Sequence, residues 1–267
     1  MDFITTTTNT GGVASGWTPL QPQAAQGGLP AQAGTGAQCM DCSARHRCLP
    51  AGMSDREARC LATITIGRRR VRKGQSVYRE NERFLFMYAV HFGTLKSTAM
   101  LNNGSDQVTG FHLPGDVMGF DATATGRHPT TATALEDAEV CVLPYSQLTD
   151  ACGAERGLRM QVMRMAGVEL VRDHRLLALI AHTHSEQRVA AFLVGLSERL
   201  RERGFSPREF LLRMTRAEIG SYLGTTLETV SRSLSAFARR GFITVHRREI
   251  HLVDIDALRA EFEPGLP

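Results

Sequence analysis

Long apolar runs are missing. No stretch of the 267 residues approaches the roughly 18 consecutive apolar positions of a membrane-spanning helix, so no membrane partner is expected. The opening Met1-Asp-Phe-Ile-Thr-Thr-Thr-Thr lacks the basic-then-apolar order of a secretory signal, which points to the cytoplasm. Enzyme signatures are missing as well: there is no phosphate loop, no nucleophile elbow and no pair of metal-binding histidines on one helix face. His182 and His184 stand two residues apart, a spacing that separates them around a helix, and they read as surface or linker positions. Charge is nearly absent from residues 1–38, where Asp2 stands alone among Thr, Gly, Ala, Gln and Pro. Such a segment buries too little apolar surface to offset the entropy of ordering, so a disordered tail is expected there.

What is present is an ordinary globular composition, 42% hydrophobic and 22% charged, at a length that suits one large or two modest domains. From 61 to 150, β-type runs (Thr63-Ile-Thr-Ile66, Phe84 to Val90, Val140-Cys-Val-Leu143) alternate with turn signals at Lys73-Gly74, His91-Phe-Gly93, Asn102-Asn-Gly104 and Pro114-Gly-Asp116. Strands at this spacing predict a sandwich or jelly-roll β-barrel. The turn at Asn102 to Asp106 reads as a plain hairpin turn.

Between 151 and 185 the period changes. Met163, Ala166, Leu170, Asp173, Leu177 and Ile180 step by 3, 4, 3, 4, 3, the spacing of a helical seam, which predicts a long dimerisation helix and a homodimer. Asp173 would face its symmetry mate in that seam. A like-charge pair there makes association marginal, which suits a switch.

Residues 186–267 read as a winged helix-turn-helix. In Thr215 to Phe237, Gly220 lets two helices approach, Gly224 supplies the left-handed turn and Val230 fills the angle between them. Thr225 or Thr226 caps the second helix, which places Glu228, Ser231 and Arg232 on one face. That face matches the major-groove code: Arg donates twice to guanine, Glu accepts from cytosine and Ser serves several partners. Arg239-Arg-Gly241 ends the helix, and Phe242-Ile-Thr-Val245 with Ile250-His-Leu-Val253 forms a hairpin wing whose Arg247 and Arg248 suit phosphate contact. Ten Arg against five Glu from 201 to 250 leave an excess of five positive charges, the mark of a polyanionic partner, double-stranded DNA.

Three thiols fall within Cys39-Met-Asp-Cys42-Ser-Ala-Arg-His-Arg-Cys48, in a segment from 39 to 60 that leads into the β region. Six cysteines unevenly spread over such a chain do not resemble a secreted disulfide framework, and clustered thiols in a reducing compartment favour a metal or cluster. Thiolate-held groups usually take four ligands. Spacing leaves Cys60, Cys141 and Cys152 equally open as the fourth.

The Cys-x-x-Cys-x5-Cys at 39, 42 and 48, Gly110-Phe-His-Leu-Pro-Gly-Asp-Val-Met-Gly-Phe-Asp121, Val140-Cys-Val-Leu-Pro144, Arg203-Gly-Phe-Ser-Pro-Arg-Glu-Phe210 and Glu228-Thr-Val-Ser-Arg232 together resemble the FNR branch of the CRP/FNR transcription regulators, from about Cys39 to Asp256. The resemblance implies an α+β protein with a cyclic-nucleotide-binding-like β-barrel, a dimerisation helix and a winged reader. It implies that Cys39, Cys42, Cys48 and Cys141 ligate an oxygen-labile 4Fe-4S cluster, and that Glu228, Ser231 and Arg232 read TTGAT-type half-sites. Cys60 and Cys152 then remain ordinary. His128-Pro129 stands where cyclic-nucleotide relatives carry a phosphate-gripping Arg-Ser pair, so no cyclic nucleotide is expected. Arg45, His46 and Arg47 would offset the cluster's negative charge or form a solvated charge run, and Ser43 would shield or hydrogen-bond the cluster. Structural zinc, or a metal-free Cys39–Cys42 thiol sensor, would keep the DNA reader and replace the cluster.

Overall fold

The computed structural model describes residues 33–35 and 39–262. The chain runs β1 (Ala33–Thr35), α1 (Asp55–Ala58), β2 (Thr65–Val71), β3 (Ser76–Tyr78), β4 (Phe86–Phe92), β5 (Leu95–Met100), β6 (Asp106–His112), β7 (Val117–Met118), β8 (Thr131–Ala134) and β9 (Ala138–Pro144). These strands form two antiparallel sheets, β1-β2-β9-β4-β7 and β3-β8-β5-β6. Among the described residues no ladder joins the sheets, so the expected barrel is an open two-sheet jelly roll. Packing closes it: Val71, Val90, Val140 and Val142 from one sheet meet Val77, Leu95, Ala132 and Ala134 from the other.

The tail expected over 1–38 is corrected at one point. Ala33–Thr35 pairs with Gly67, Ile66 and Thr65 of β2 as an edge strand; residues 1–32 and 36–38 lie outside the described residues. The run read at Thr63–Ile66 is also shifted, because β2 begins at Thr65 and continues through Arg68, Arg69 and Arg70. Arginine is tolerated there because its stem can lie along the sheet while its head stays polar, and Arg69 sits over the Tyr88 ring at 5.6 Å.

Alternation along β9 decides what the sheet carries on each side. Ala138, Val140 and Val142 enter the jelly-roll core, while Cys141 and Leu143 face the other way. That outer face is covered by Leu49, Leu61 and Ile64, and by Leu148, Ala151 and Leu158 of the helices that follow.

α2 (Tyr145–Ala154) and α3 (Arg156–His182) are separate helices, broken at Glu155, which caps α3 by accepting from the Gly157 amide at 3.4 Å. Residues 151–154, read as the start of the dimerisation helix, therefore belong to α2. The break is an extended residue, Glu155 at φ −120° and ψ 113°, and just beyond it α1 packs closely on α3, with the Glu57 carboxylate 2.6 Å from where a Gly157 Cβ would stand. α4 (Ser185–Arg201), β10 (Glu209–Leu211), α5 (Arg216–Tyr222), α6 (Leu227–Arg239), β11 (Ile243–His246), β12 (Glu249–Leu252) and α7 (Ile255–Ala260) complete the chain. The last sheet has the order β10-β12-β11. No described helix is long and apolar enough to cross a membrane.

Candidate cysteine centre and nucleic-acid interface

The loop from Cys39 to Cys48 folds over the outer face of the first sheet. Cys39, Cys42, Cys48 and Cys141 line one cavity together with Leu49, Ile66, Ala89 and Leu143. Cys60 and Cys152 are not part of its wall; they pack on the same apolar layer, Cys152 from within α2. Among the described residues no three His, Cys, Asp or Glu side chains converge tightly enough to hold a single ion. The four thiols ring a space rather than meeting at a point.

Burial dominates their chemistry. It pushes the Cys39 thiol up to about 12, with the neighbouring Cys141 and Cys42 adding to the shift and Arg68 opposing it. Burial likewise lifts Cys141 to about 11, again against Arg68, and raises Cys48 further. Such thiols stay protonated unless a cation replaces their protons, as a metal-containing core would.

Arg68 is a residue the sequence reading missed. It lies directly across the ladder from Cys141, a register that spacing alone could not supply. His91 was missed too: its Nδ1 is 3.4 Å from the Cys42 sulfur, and its Nε2 is 3.8 Å from Glu139, which also sits 3.7 Å from Arg68. The basic run at 45–47, read as either a charge offset for the thiols or a solvated run, divides: Arg45 lines the thiol cavity, whereas His46 and Arg47 do not. Arg45 donates to Asp55 at 2.5 Å and to the Met40 carbonyl at 3.2 Å, Arg47 bonds Glu202, and His46 and Ser43 are exposed.

The reading head follows the expected grammar. A Cβ at Gly220 would lie 3.0 Å from the Thr225 carbonyl, so a larger residue would have to push the turn away by a few tenths of an ångström, and glycine suits this close helix crossing. Gly224 adopts φ +61°, Val230 is wholly buried, and Thr226 caps α6 by accepting from the Thr229 amide at 3.3 Å. Glu228 and Arg232 are exposed on α6 and Ser231 is half-buried. Two neighbours hold this face: Arg216 donates to the Ser231 hydroxyl at 3.2 Å, and Arg232 donates to Thr229 at 3.0 Å. Arg247 and Arg248 form the wing tip between β11 and β12, with Arg247 at φ +54°.

Not all the basic excess faces outward. Arg203 is buried against Asp116, Arg213 pairs with Glu136, and Arg240 pairs with Glu261 and Glu186. Local charge counting therefore overstates what the reader offers to a polyanion.

Residues 187–261 match the Crp-like helix-turn-helix domain and residues 68–155 the cyclic nucleotide-binding domain. The fumarate and nitrate reduction regulatory protein of Salmonella typhimurium is 40% identical over 227 residues, 85% of this chain and 91% of its own. The protein of the same name from Escherichia coli is 40% identical over 225 residues, 84% of this chain and 90% of its own. The chain belongs to the CRP/FNR family. It is a DNA-binding transcription regulator and not an enzyme. Among solved structures, FixK2 from Bradyrhizobium japonicum superposes with a TM-score of 0.68 at 32% identity, covering 74% of this chain and 97% of that one. A Thermus thermophilus CRP-family regulator, TTHB099, shares the fold at a TM-score of 0.59 and 22% identity.

CRP/FNR regulators act as dimers, and this chain leaves an apolar stripe uncovered along α3. Met163, Leu170 and Leu177 are 66%, 55% and 64% exposed and fall seven residues apart. Asp173 is exposed beside them, and Ala166 and Ile180 are half-buried. Ile180 also leans toward its own reader, 3.8 Å from where a Gly224 Cβ would stand. The reader in turn docks on the jelly roll of its own chain: Lys96 bonds Glu218 at 2.8 Å, and the Ser221 hydroxyl accepts from the Val108 amide at 2.9 Å.

Proposed function

We propose that this CRP/FNR regulator senses oxygen through a 4Fe-4S cluster held by Cys39, Cys42, Cys48 and Cys141, dimerises along α3 when the cluster is present, and then binds palindromic promoter sites with TTGAT-type half-sites. The sorting of the six thiols carries this reading: four share one cavity and two do not. When bound, the cluster supplies an oxygen-reactive iron core whose thiolate ties join the loop to β9. A ring of separated thiols suits a core with one metal behind each sulfur better than one zinc ion, which would draw all four together.

The chain's own residues then do the rest. Arg68 brings positive charge toward Cys39 and Cys141, and His91 stands at hydrogen-bonding distance from the Cys42 sulfur. Met163, Ala166, Leu170, Asp173, Leu177 and Ile180 form the dimer seam, with Asp173 opposing association. Glu228, Ser231 and Arg232 read bases, while Thr226, Arg247 and Arg248 take backbone contacts. Pairing two readers on half-sites about one helical turn apart raises affinity over that of a single reader. RNA polymerase is the partner at the promoter, and the setting is the cytoplasm during anaerobic growth. No cyclic nucleotide enters the scheme, since His128 is buried and stacked on Tyr78 at 3.8 Å rather than offered to an anion.

The test is anaerobic reconstitution with visible absorption, iron, zinc and sulfide measured on the same samples. Wild type and Cys60→Ser are expected to form a brown chromophore that bleaches in air, and Cys141→Ser to form none. A colourless zinc protein, or a chromophore that survives Cys141→Ser and fails in Cys60→Ser, would overturn the assignment.

A further inference from the structure

The loop between Cys42 and Cys48 also touches the reading domain. Arg47 donates through Nε to the backbone carbonyl of Glu202 at 2.8 Å and through Nη1 to the Glu202 carboxylate at 2.9 Å. Glu202 is the cap residue that ends α4, the first helix of the reader. A cation at a helix C-terminus meets both an unsatisfied carbonyl and the negative end of the helix dipole.

The contact is seated. Gly115 has φ +92°, and a Cβ there would lie 2.6 Å from the Cβ of Arg47, so the loop rests against the bare backbone of the Pro114–Asp116 turn. The next residue of that turn, Asp116, pairs with Arg199 at 2.7 Å and Arg203 at 2.6 Å around the same end of α4. On the loop's other flank the Cys48 carbonyl accepts from Gln161 of α3 at 3.2 Å. One short loop therefore bridges the dimerisation helix and the reader.

We propose that Arg47 is a positioning residue that couples the state of the cysteine loop to the orientation of the reading domain within a single chain, separately from any signal through the dimer seam. The inference rests on the cluster reading above. Among the described residues, the backbone bonds of the Cys42–Cys48 segment are local turns such as Arg45 N to Cys42 O and Cys48 N to Ala44 O, with no strand ladder to hold it. Its tie to the sheet is the cysteine cavity. When that tie is lost, the loop shifts and Arg47 shifts with it. The side chains of Arg47 and Glu202 are 37% and 48% exposed, so the pair is weak and adjustable. The Asp116 pairs keep the domains together while Arg47 sets their fine alignment.

The experiment uses full-length protein, reconstituted anaerobically, with iron, sulfide and sedimentation measured for every sample. Affinity for a labelled duplex with two TTGAT half-sites is read before and after oxygen removes the cluster, together with amide hydrogen exchange over 202–205. Arg47→Ala is expected to keep wild-type cluster content and dimer fraction, yet narrow the ratio of cluster-bound to cluster-free affinity by about two- to fivefold. Glu202→Gln, which leaves the backbone carbonyl in place, gives a smaller change, and the Arg47→Glu/Glu202→Arg swap recovers part of the loss. In wild type, exchange over 202–205 quickens when the cluster goes; in Arg47→Ala it is equally fast in both states. A wild-type affinity ratio and wild-type exchange response in Arg47→Ala, with the cluster intact, would overturn the proposal. If wild type assembles no iron and sulfide, the cluster reading itself fails, visibly and before any variant is compared, and the coupling fails with it.

Discussion

Asp116→Asn tests the node that joins the jelly roll to the reader. The Asp116 side chain is 12% exposed and meets Arg203, 7% exposed, at 2.6 Å and Arg199 at 2.7 Å, with Arg172 at 3.7 Å. It also accepts from the Leu113 amide at 2.8 Å. Burial alone would raise this carboxyl, but Arg199, Arg203, Arg172 and the amide outweigh it and hold Asp116 well below its ordinary 3.8. Removing one partner of a buried ion pair costs about 3–5 kcal/mol because the remaining charge is stranded. The lower end applies here, since Arg199 keeps the Phe111 carbonyl and Arg203 keeps the carbonyls of Pro114 and Arg199. About 3 kcal/mol corresponds to a Tm lower by roughly 6–12 °C in a chain of this size.

The pH dependence has a definite sign. A carboxyl whose folded pKa is depressed stabilises the native state above its unfolded value of 3.8, and that contribution is lost as pH falls through the folded value. The gap between wild type and Asp116→Asn is therefore flat from about pH 5 to 8 and shrinks below pH 4. Thermal unfolding of both proteins across that range measures it. A variant within 1 kcal/mol of wild type at pH 7, or a gap that closes toward high pH, would refute the reasoning.

Three further outcomes are expected. Glu169 on α3 is pushed up to about 7 by burial and by the charge of Asp121, so the native state holds an extra proton between the ordinary 4.5 and 7, and stability from this group falls as pH rises through that window. Glu169→Gln should gain about 1–2 kcal/mol at pH 8 and nothing at pH 4, read by urea unfolding. Arg247 sits in the left-handed region at φ +54°, which costs an L side chain about 1–2 kcal/mol; Arg247→Gly should stabilise the protein by about 1 kcal/mol while lowering the salt slope of DNA binding by about one. An unchanged slope would mean that the wing tip does not reach a phosphate. Asp173→Ala should raise the dimer fraction of cluster-free protein in sedimentation, and a strictly monomeric variant would show that this acid does not limit pairing.

The sequence by itself determined the elements whose cause is local. Gly220, Gly224, Val230 and Thr226 specify a helix-turn-helix because a close crossing, a left-handed turn, a buried wedge and a cap are each properties of one residue and its near neighbours. The long helix α3 and its apolar stripe of Met163, Leu170 and Leu177 were legible for the same reason, as a period along one helix. Spacing could not choose the fourth thiol from Cys60, Cys141 and Cys152, and the family resemblance named Cys141. In the fold, β9 lies between β2 and β4, and strand alternation turns Cys141 outward into the cavity that Cys39, Cys42 and Cys48 also line. Tertiary structure also brought Arg68 and His91 to the thiols alongside Arg45, and turned Arg47 to Glu202 instead. Those partners lie tens to more than a hundred positions apart in sequence. Only the register of the sheets and the docking of the reader bring them into contact.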